Sequence, residues 1–404
     1  MFNLNNQITK CCGTLFFLSL LIIGRSETHP SGSYTSIPSR TPSSPSTSSP
    51  TNIPTSTSTE DLTNTPTRTP SISSDLMTMV PAEVFDLDYW KITLPLDEDN
   101  DNRADEVSVS EIRAYSHPDY FYLDKYQHMV FAAPNLASTT ANSSNTRSEL
   151  RQMLRGTNKS IGTSDPGNNF SLAVHEYASE FGAVGGRMEA TLKVDHVAVN
   201  TLYMDKLPVY SVVVGQIHAV KLDDNSNGFG WGNEPLKIYF KKFPEHDYGS
   251  IFWTYERNLT KEDPNRTDIA YPVWGNTWEN SDDPGGEGIA LGEEFSYVVN
   301  VYENIMYLTF EAANHDTVEF QIDLSNNIDA YGNIDTVDFA KGYSGDSLYF
   351  KAGAYNQCNV NTDEGFWSTA CNSIGVWGTD YANGDYVQVT FSKLILSEAA
   401  CPVE

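Results

Sequence analysis

The chain has few basic side chains and, after its first 25 residues, no long apolar run. Its 404 residues include 25 lysines and arginines against 53 aspartates and glutamates, for a formal net charge of −28. Such an acidic chain is a poor general partner for nucleic acid or an anionic membrane. Without a later run of about 20 apolar residues, no membrane-spanning helix is expected in the body of the chain.

Several familiar catalytic and metal-binding motifs are also missing. The sequence has no Gly-x-Ser-x-Gly elbow of an α/β-hydrolase. His175-Glu176 is followed by Ser179, where a zinc metalloprotease needs a second histidine. The acidic loop from Asp97 to Asn102 lacks the glycine and glutamate that a calcium loop carries at its sixth and twelfth positions. We therefore interpret that loop as a solvated turn and predict no metal site.

The N-terminal part predicts export from the cell. Lys10 precedes a short apolar run over residues 15–23, and small residues follow it, so residues 1–26 are interpreted as a secretory signal peptide. Residues 27–80 are rich in Ser, Thr and Pro and predict an extended, O-glycosylated stalk. Both segments indicate a secreted, extracellular protein whose folded domain covers residues 81–404.

The folded domain holds the charge and three cysteines. Residues 1–80 contain four basic and four acidic side chains, so the whole net charge of −28 belongs to residues 81–404. An oxidising compartment favours one disulfide in the mature chain. Cys358 with Cys371, which closes a short loop, is the first choice, and Cys371 with Cys401 is the alternative. Glycosylation sequons occur at Asn142, Asn158, Asn169, Asn258 and Asn265.

Short β-branched and aromatic runs between Gly, Asn and Asp residues predict an all-β domain. The predicted strands are Met188–Val194, Tyr210–Val220, Leu236–Phe243, Tyr297–Tyr302, Met306–Glu311, Leu348–Tyr355 and Tyr386–Leu396. The region from Tyr297 to Glu311 is the clearest hairpin. No helical segments are available for crossovers, so we expect an antiparallel β-sandwich or jelly roll.

Three segments place polar groups at alternate positions, and residues two apart in a strand share a face. The shared-face residues are Arg147, Glu149 and Arg151 in the first segment, Gln216 and His218 in the second, and Tyr349, Lys351, Tyr355 and Gln357 in the third. Leu150, Ile217 and Phe350 then point to the opposite side. Any half-exposed strand alternates in this way, but together the segments supply cations, an amide, an imidazole and a phenol.

This set of groups suits the eliminative cleavage of a uronate polymer. The proton at C5, next to the sugar carboxylate, is very weakly acidic, so the site must neutralise that carboxylate. A base must take the proton and an acid must protonate the departing O4, for which His and Tyr are suitable. The reaction needs no metal or cofactor.

The three segments resemble the signature blocks of polysaccharide lyase family 7, which contains alginate lyases. The blocks are Arg-(Ser/Thr)-Glu-(Leu/Val)-Arg, Gln-(Ile/Val)-His and Tyr-x-Lys-Ala-Gly-x-Tyr-x-Gln, and all three match in the family's order. Trp90–Pro95 and Pro235–Ile238 add smaller matches, so the resemblance covers residues 85–396. It implies a concanavalin-like jelly roll with a concave groove, and a monomer that cleaves alginate by β-elimination.

The resemblance also implies roles for the shared-face residues. Arg147 and Gln216 would neutralise the carboxylate, His218 would assist or act as base, and Tyr355 would protonate O4 or serve as both base and acid. The residues implied to hold the chain or orient the catalytic groups are Glu149, Arg151, Lys351, Gln357 and Tyr349. Ile217 points to guluronate-containing substrates. Ala219 departs from the family, which has glycine there, and the loops after Asp223 and Trp278 are long and acidic.

Three other functions fit parts of the sequence. The substrate of the lyase could be another polyuronate, such as glucuronan. A glycoside hydrolase on a similar sandwich would need two carboxylates across the scissile bond, and its compact Glu-x-Asp-x-x-Glu signature is absent. A non-catalytic carbohydrate-binding module would explain the 22 tyrosines and seven tryptophans. It would not explain why Gln216, His218 and Tyr355 occur in this pattern.

Overall fold

The computed structural model describes residues 79–223 and 227–402. The predicted signal peptide and nearly all of the predicted stalk lie outside the described residues. The described residues build two β-sheets, one α-helix, α1 (Trp377–Asn383), and several 3-10 turns. The turns are Pro81–Glu83, Ile112–Ala114, Pro166–Asn168, Ala178–Glu180 and Gly285–Glu287. Across these residues, no helix is long and apolar enough to span a membrane.

The first sheet carries all three polar segments. Strands are numbered along the chain, and this sheet contains β1 (Trp90–Thr93), β2 (Glu106–Val107), β5 (Arg147–Gln152), β6 (Phe170–Ser171), β7 (Ala183–Val184), β9 (Ser211–Ala219), β10 (Leu236–Lys241), β11 (Tyr248–Glu256), β12 (Asp268–Trp274), β13 (Ile289–Ala290) and β17 (Leu348–Asn356). The spatial order β12-β11-β10-β9-β17-β5-β1-β2 is antiparallel throughout. The three polar strands β9, β17 and β5 are therefore adjacent, although they are far apart in sequence.

The second sheet covers the inner face of the first. It contains β3 (Phe121–Leu123), β4 (Met129–Pro134), β8 (Gly186–His196), β14 (Glu294–Tyr302), β15 (Ile305–Ala312), β16 (Val318–Asp323) and β18 (Tyr386–Ser397), in the order β16-β15-β14-β8-β18-β4-β3. The predicted hairpin is β14–β15, in which Tyr302 pairs with Ile305 across a two-residue turn. Every predicted strand is present, and the predicted jelly-roll sandwich is confirmed.

The hydrophobic core lies between the sheets and fixes which side of each polar strand faces outward. Leu150, Ile217 and Phe350 are completely buried in this core, as the alternation predicts. The hydroxyl of Tyr297 on β14 donates a hydrogen bond to the carbonyl of Val214 on β9 at 3.1 Å. A Cβ at position 215 would lie 2.5 Å from that hydroxyl, so the contact requires glycine. Gly215 and Ile217 thus face the core, and Gln216 and His218, at the intervening positions, face away from it.

Two surface predictions can be compared with the structure. Within residues 79–223 and 227–402, a disulfide joins Cys358 and Cys371, the first-choice pairing, with their Cα atoms 5.6 Å apart. Two of the five sequons are unsuitable for a glycan in the folded protein, because Asn169 and Asn258 are fully buried and hydrogen-bonded. The asparagines at positions 142, 158 and 265 are exposed and remain candidate acceptors.

Candidate functional site

The predicted site residues meet on the outer face of the first sheet. Lys351 pairs directly with Gln216 on one side and with Arg151 on the other. Four residues further along β17, Tyr355 is paired with Arg147. Because paired residues on adjacent strands lie close together on the same face, these strands bring an amide, three cations and a phenol together.

A bulge in β17 adapts the pairing between these two rows. The β9–β17 register shifts between Ala352 and Tyr355. Gly353, which lies in this interval, has φ +144°, and a Cβ there would approach the carbonyl oxygen of Ser148 to 2.5 Å. Glycine is therefore required between Lys351 and Tyr355, which explains part of the Lys-Ala-Gly-x-Tyr pattern.

Glu149 holds the cationic side chains of the site in place. Its side chain is 1% exposed and lies 3.1 Å from Nη1 of Arg147. The same carboxylate contacts Nζ of Lys351 and accepts a hydrogen bond from Nε2 of Gln216. Both carboxylate oxygens of Glu149 therefore contact donors within the protein, so this residue positions Arg147, Lys351 and Gln216.

After these contacts, polar groups remain available for a ligand on three residues of the site, Arg147, Gln216 and Tyr355. Nε of Arg147 and Oε1 of Gln216 are buried and have no hydrogen-bond partner among the described residues. The guanidinium carbon of Arg147 lies 3.9 Å from the centroid of the Tyr355 ring. The Tyr355 hydroxyl is 3.2 Å from Oγ of Ser143. A uronate carboxylate that reached Arg147 would thus lie beside the phenol.

His218 is held by protein groups on both sides of its ring. Nδ1 lies 2.6 Å from the carbonyl oxygen of Ala219, and Nε2 lies 3.0 Å from Oε1 of Glu234. Both contacts are hydrogen bonds only when both ring nitrogens carry protons. The ring also stacks on Tyr349, with centroids 5.2 Å apart. In this geometry Nε2 of His218 must leave Glu234 before it can accept a proton from the substrate.

The remaining predicted substrate-binding residues are bonded within the protein; Arg151, Lys351 and Gln357 are buried, and Tyr349 is half-buried. Arg151 lies 3.9 Å from the ring centroid of Tyr349 and donates hydrogen bonds to Asn169 and to backbone carbonyls. Gln357 follows β17 and donates to the carbonyl of Tyr355 at 3.3 Å. The contacts of Arg151, Tyr349 and Gln357 orient neighbouring groups. Burial, the largest cause, and nearby Arg147 lower the pKa of Lys351 to about 8.

Sequence reasoning missed an ionic network beside His218. Lys237, directly paired with Gln216, lies 2.9 Å from Asp268 and 3.4 Å from Glu234. Burial disfavours ionisation of Glu234, but Lys237 and His218 bring its pKa well below the usual value. Burial and the neighbouring Glu234 raise the pKa of Glu256 well above its usual value. The only feature of the sequence that pointed to this network was the match of Pro235–Ile238 to the family pattern, and that match gave no role for Lys237.

This network also bears on the hydrolase alternative. Glu234 and Glu256 share a side-chain hydrogen bond. A glycoside hydrolase needs carboxyl groups at least about 5 Å apart, on either side of the scissile bond. Two carboxyl groups in direct contact have no room for a sugar between them, so this pair does not support glycoside hydrolysis.

Aromatic side chains cover the sheet on one side of Tyr355. Tyr239 and Phe252 are completely buried there under Trp278, which is itself only 6% exposed. Phe366 and Trp367, on the loop closed by the disulfide, pack on Trp278 with ring centroids 5.7 and 5.8 Å away. We call Trp278, Phe366 and Trp367 the aromatic roof. Trp367 also lies 5.3 Å from Nζ of Lys237, so the roof closes the outer face on the β10 side.

The sequence predicts that the acidic loop from Asp97 to Asn102 is a solvated turn. Asp97, Asp99 and Asp105 have oxygens within 4.8 Å of one another. Asp97 and Asp105 accept hydrogen bonds from backbone N–H groups of the loop itself. These bonds are typical of a self-organised turn, whereas the buried Oδ1 of Asp97 has no hydrogen-bond partner among the described residues.

Comparison with known proteins gives a consistent result. The alginate lyase family model matches residues 85–398. A curated alginate lyase from Klebsiella pneumoniae is 32% identical over 341 residues, covering 82% of this chain and 95% of the relative. The crystal structure of the alginate lyase from Klebsiella pneumoniae matches with TM-score 0.62 and 31% identity, and that of the exolytic PL7 alginate lyase AlyA5 from Zobellia galactanivorans with TM-score 0.64 and 33% identity. Each match covers 80% of this chain and 99% of the other.

Proposed function

This chain belongs to polysaccharide lyase family 7, the alginate lyases, and we propose that its outer-face site cleaves alginate by β-elimination through Arg147, Gln216 and Tyr355. The observation that carries the proposal is that Arg147 and Gln216 meet at Glu149 while Tyr355 lies against Arg147, on three adjacent strands. Family membership makes the protein a polysaccharide lyase, and the residue roles are the part that we add.

The first step is neutralisation of the substrate carboxylate. Nε of Arg147 and the second N–H of the Gln216 amide donate hydrogen bonds to the carboxylate of the sugar whose C5 proton is removed. Buried donors that are already positioned by Glu149 and Glu234 need little reorganisation when negative charge develops on that carboxylate.

Tyr355 then transfers the protons. Its phenol oxygen, ionised at the start of the step, takes the C5 proton, and the electron pair of the C5–H bond forms the C4=C5 double bond. The C4–O4 bond breaks and O4 receives the proton from Tyr355. The guanidinium of Arg147, 3.9 Å from the phenol ring, is close enough to balance the initial charge. This assignment is favoured over His218 as base because Nε2 of His218 is held by Glu234.

Ultraviolet absorbance of the new conjugated double bond tests the reaction class. The protein should produce this signal with alginate, and parallel incubations with glucuronan and laminarin identify the substrate. A signal with glucuronan alone would reassign the substrate. New reducing ends without the absorbance would indicate a hydrolase, and binding without either signal would indicate a carbohydrate-binding module.

We also propose that the enzyme acts from a chain end. The paired polar side chains on β9, β17 and β5 form rows that cross the strands, and we infer that the substrate chain crosses the strands as well. The aromatic roof lies over the sheet beside Lys237, and we infer that it stops the chain in that direction. The similar lyase AlyA5 is described as exolytic, which agrees with a groove closed at one end.

Product sizes early in the reaction test this mode of action. An enzyme that acts from chain ends releases one short product from the start and lowers the viscosity of alginate slowly. Trp367→Ala, at a side chain that is 38% exposed, should broaden the product sizes by opening the roof. Tyr126→Ala, at an exposed aromatic residue between β3 and β4, is the control. A broad ladder of products from the wild-type enzyme at the earliest times would contradict the proposal.

The proposed substrate preference is for guluronate-containing chains. It rests on the family pattern of the Gln-Ile-His block, since Ile217 is completely buried and touches only the core. Any effect of Ile217 must therefore act through the positions of Gln216 and His218. Initial rates on guluronate-rich and mannuronate-rich alginate test the preference, and a faster rate on the mannuronate-rich polymer would reject it.

We further propose that the protein is secreted as a monomer. The support is the signal-like segment 1–26 and the Ser/Thr/Pro tract that follows it. N-terminal sequencing of protein from the culture medium should begin near residue 27, and light scattering should give the mass of one chain. Protein that keeps residues 1–26 and remains with the cells would contradict the secretion proposal.

A further inference from the structure

A cavity of about 130 Å³ lies beside β1, β2 and the loop after β5, beyond the proposed catalytic groups. Its lining includes three cations, Lys91, Arg155 and Lys159, and one carboxylate, Glu106. The surplus of positive charge is unusual in a chain of net charge −28. Serine and threonine hydroxyls complete the polar lining, at positions 108, 110, 157 and 163.

The cavity continues the row of polar side chains that crosses the sheet. Lys91 pairs directly with Arg151, which pairs with Lys351 and, through it, with Gln216. Three interstrand steps of about 4.8 Å separate β9 from β1, a distance of about 14 Å. A polysaccharide that lies across the strands at Gln216 and Lys351 is therefore directed towards Lys91.

The cations of the cavity are close together, and two exposed carboxylates interact with them, Glu106 with Lys91 and Glu111 with Lys159. Burial is the largest effect on Lys91 and lowers its pKa; Arg151 and Arg155 lower it further, whereas Glu106 raises it. Glu106 lies 2.5 Å from Nζ of Lys91, but its side chain is 51% exposed. Nε of Arg155 is buried and has no hydrogen-bond partner among the described residues. An anionic ligand would reduce the repulsion and provide the acceptor that Arg155 lacks.

We propose that this cavity is a distal subsite, which binds the carboxylate of a uronate several sugars away from the scissile bond. The inference rests on the proposed lyase function, because it assigns the cavity to the same polysaccharide. The aromatic roof closes the β10 side of the outer face, and the cavity lies on the opposite side. The chain thus runs from the roof across Gln216 and Lys351 to Lys91.

Kinetics on oligouronates of increasing length test the subsite. In the double variant Lys91→Gln/Lys159→Gln, kcat/KM should equal the wild-type value for the shortest oligomer that is cleaved. For long oligomers kcat/KM should fall by about fivefold, the scale of a partly exposed ion pair. Lys393→Gln is the matched control, because Lys393 also pairs with one glutamate, Glu189 at 2.7 Å, but on the second sheet.

The outcomes distinguish a failure of the subsite proposal from a failure of the proposed lyase function. A wild-type protein without activity on any polyuronate would reject the proposed function. An active wild-type enzyme, with a double variant that matches it at every length, would reject only the subsite. An equal loss at every length would also reject the subsite, since it would place the effect on the catalytic groups. Should Lys91→Gln impair folding, the single variant Lys159→Gln, at an exposed side chain, must show the same length dependence.

Discussion

Replacing Glu149 by glutamine should destabilise the fold and disable the site in one step. The carboxylate is 1% exposed and contacts Arg147 and Lys351, which are themselves buried. It also fixes the amide of Gln216. Glutamine keeps the shape of the side chain but removes its negative charge. The positive charges of Arg147 and Lys351 would then remain buried beside each other.

The contact distance sets the size of the expected effect. Nη1 of Arg147 lies 3.1 Å from Oε2 of Glu149. At an effective dielectric of about 20, this distance gives a gross attraction of about 5 kcal/mol. The cost of desolvation offsets part of the attraction, and removal of one partner from a buried pair typically costs about 3–5 kcal/mol. Because Glu149 serves two cations, we expect a loss of about 4 kcal/mol in the free energy of unfolding.

The second sheet offers a matched control for this measurement. There Glu189 contacts Arg187, two residues earlier, and Lys393 on the neighbouring strand, as Glu149 contacts Arg147 and Lys351. The Glu189 side chain is 19% exposed, so Glu189→Gln should cost less than about 1 kcal/mol. Urea unfolding measures both losses, and kcat/KM on alginate should fall only for Glu149→Gln. Equal losses of stability, or normal kcat/KM in Glu149→Gln, would refute the role assigned to Glu149.

Four further predictions concern protons and charge. Because the pKa of Lys351 is about 8, KM for alginate should rise as the pH increases through that value. Lys351→Arg should move this rise in KM to higher pH, and a KM that does not change with pH would contradict the prediction. Tyr355→Phe should abolish turnover while sparing binding of alginate, and retained kcat would exclude proton transfer by Tyr355. Burial raises the pKa of Asp346 from 3.8 to about 7, so the folded protein keeps a proton there that the unfolded chain has released. Its stabilising contribution is complete below about pH 4 and is lost as the pH rises through about 7, a change of about 4 kcal/mol in unfolding free energy that Asp346→Asn should remove. Moderate salt should raise the association rate with alginate, because it screens the net charge of −28 more than the close contact with Arg147; a steady fall in kcat/KM from very low ionic strength upward would contradict this.

The sequence alone predicted which side of each polar strand faces the core. Alternation with a period of two is a local property of an extended chain, so Leu150, Ile217 and Phe350 could be assigned to the inside without knowledge of their neighbours. The strands themselves were predictable for the same reason, and so was the tight hairpin β14–β15. The three signature blocks added the family, since their residue types and order are specific even at about 30% identity.

Only the tertiary structure decided which groups touch. The sequence placed Glu149 among the residues that hold the substrate chain or orient the catalytic groups. Its contacts with Lys351 and Gln216, however, depend on β5, β17 and β9 being neighbours. Those strands are separated by tens to about 200 residues in sequence, and their pairing is set by burial of the shared core. Loops whose positions no local pattern encodes likewise produce three further features. These are the contact of Glu234 with His218, the aromatic roof over the sheet and the cationic cavity. Backbone periodicity fixes the direction of a side chain, whereas packing between distant segments fixes its partner.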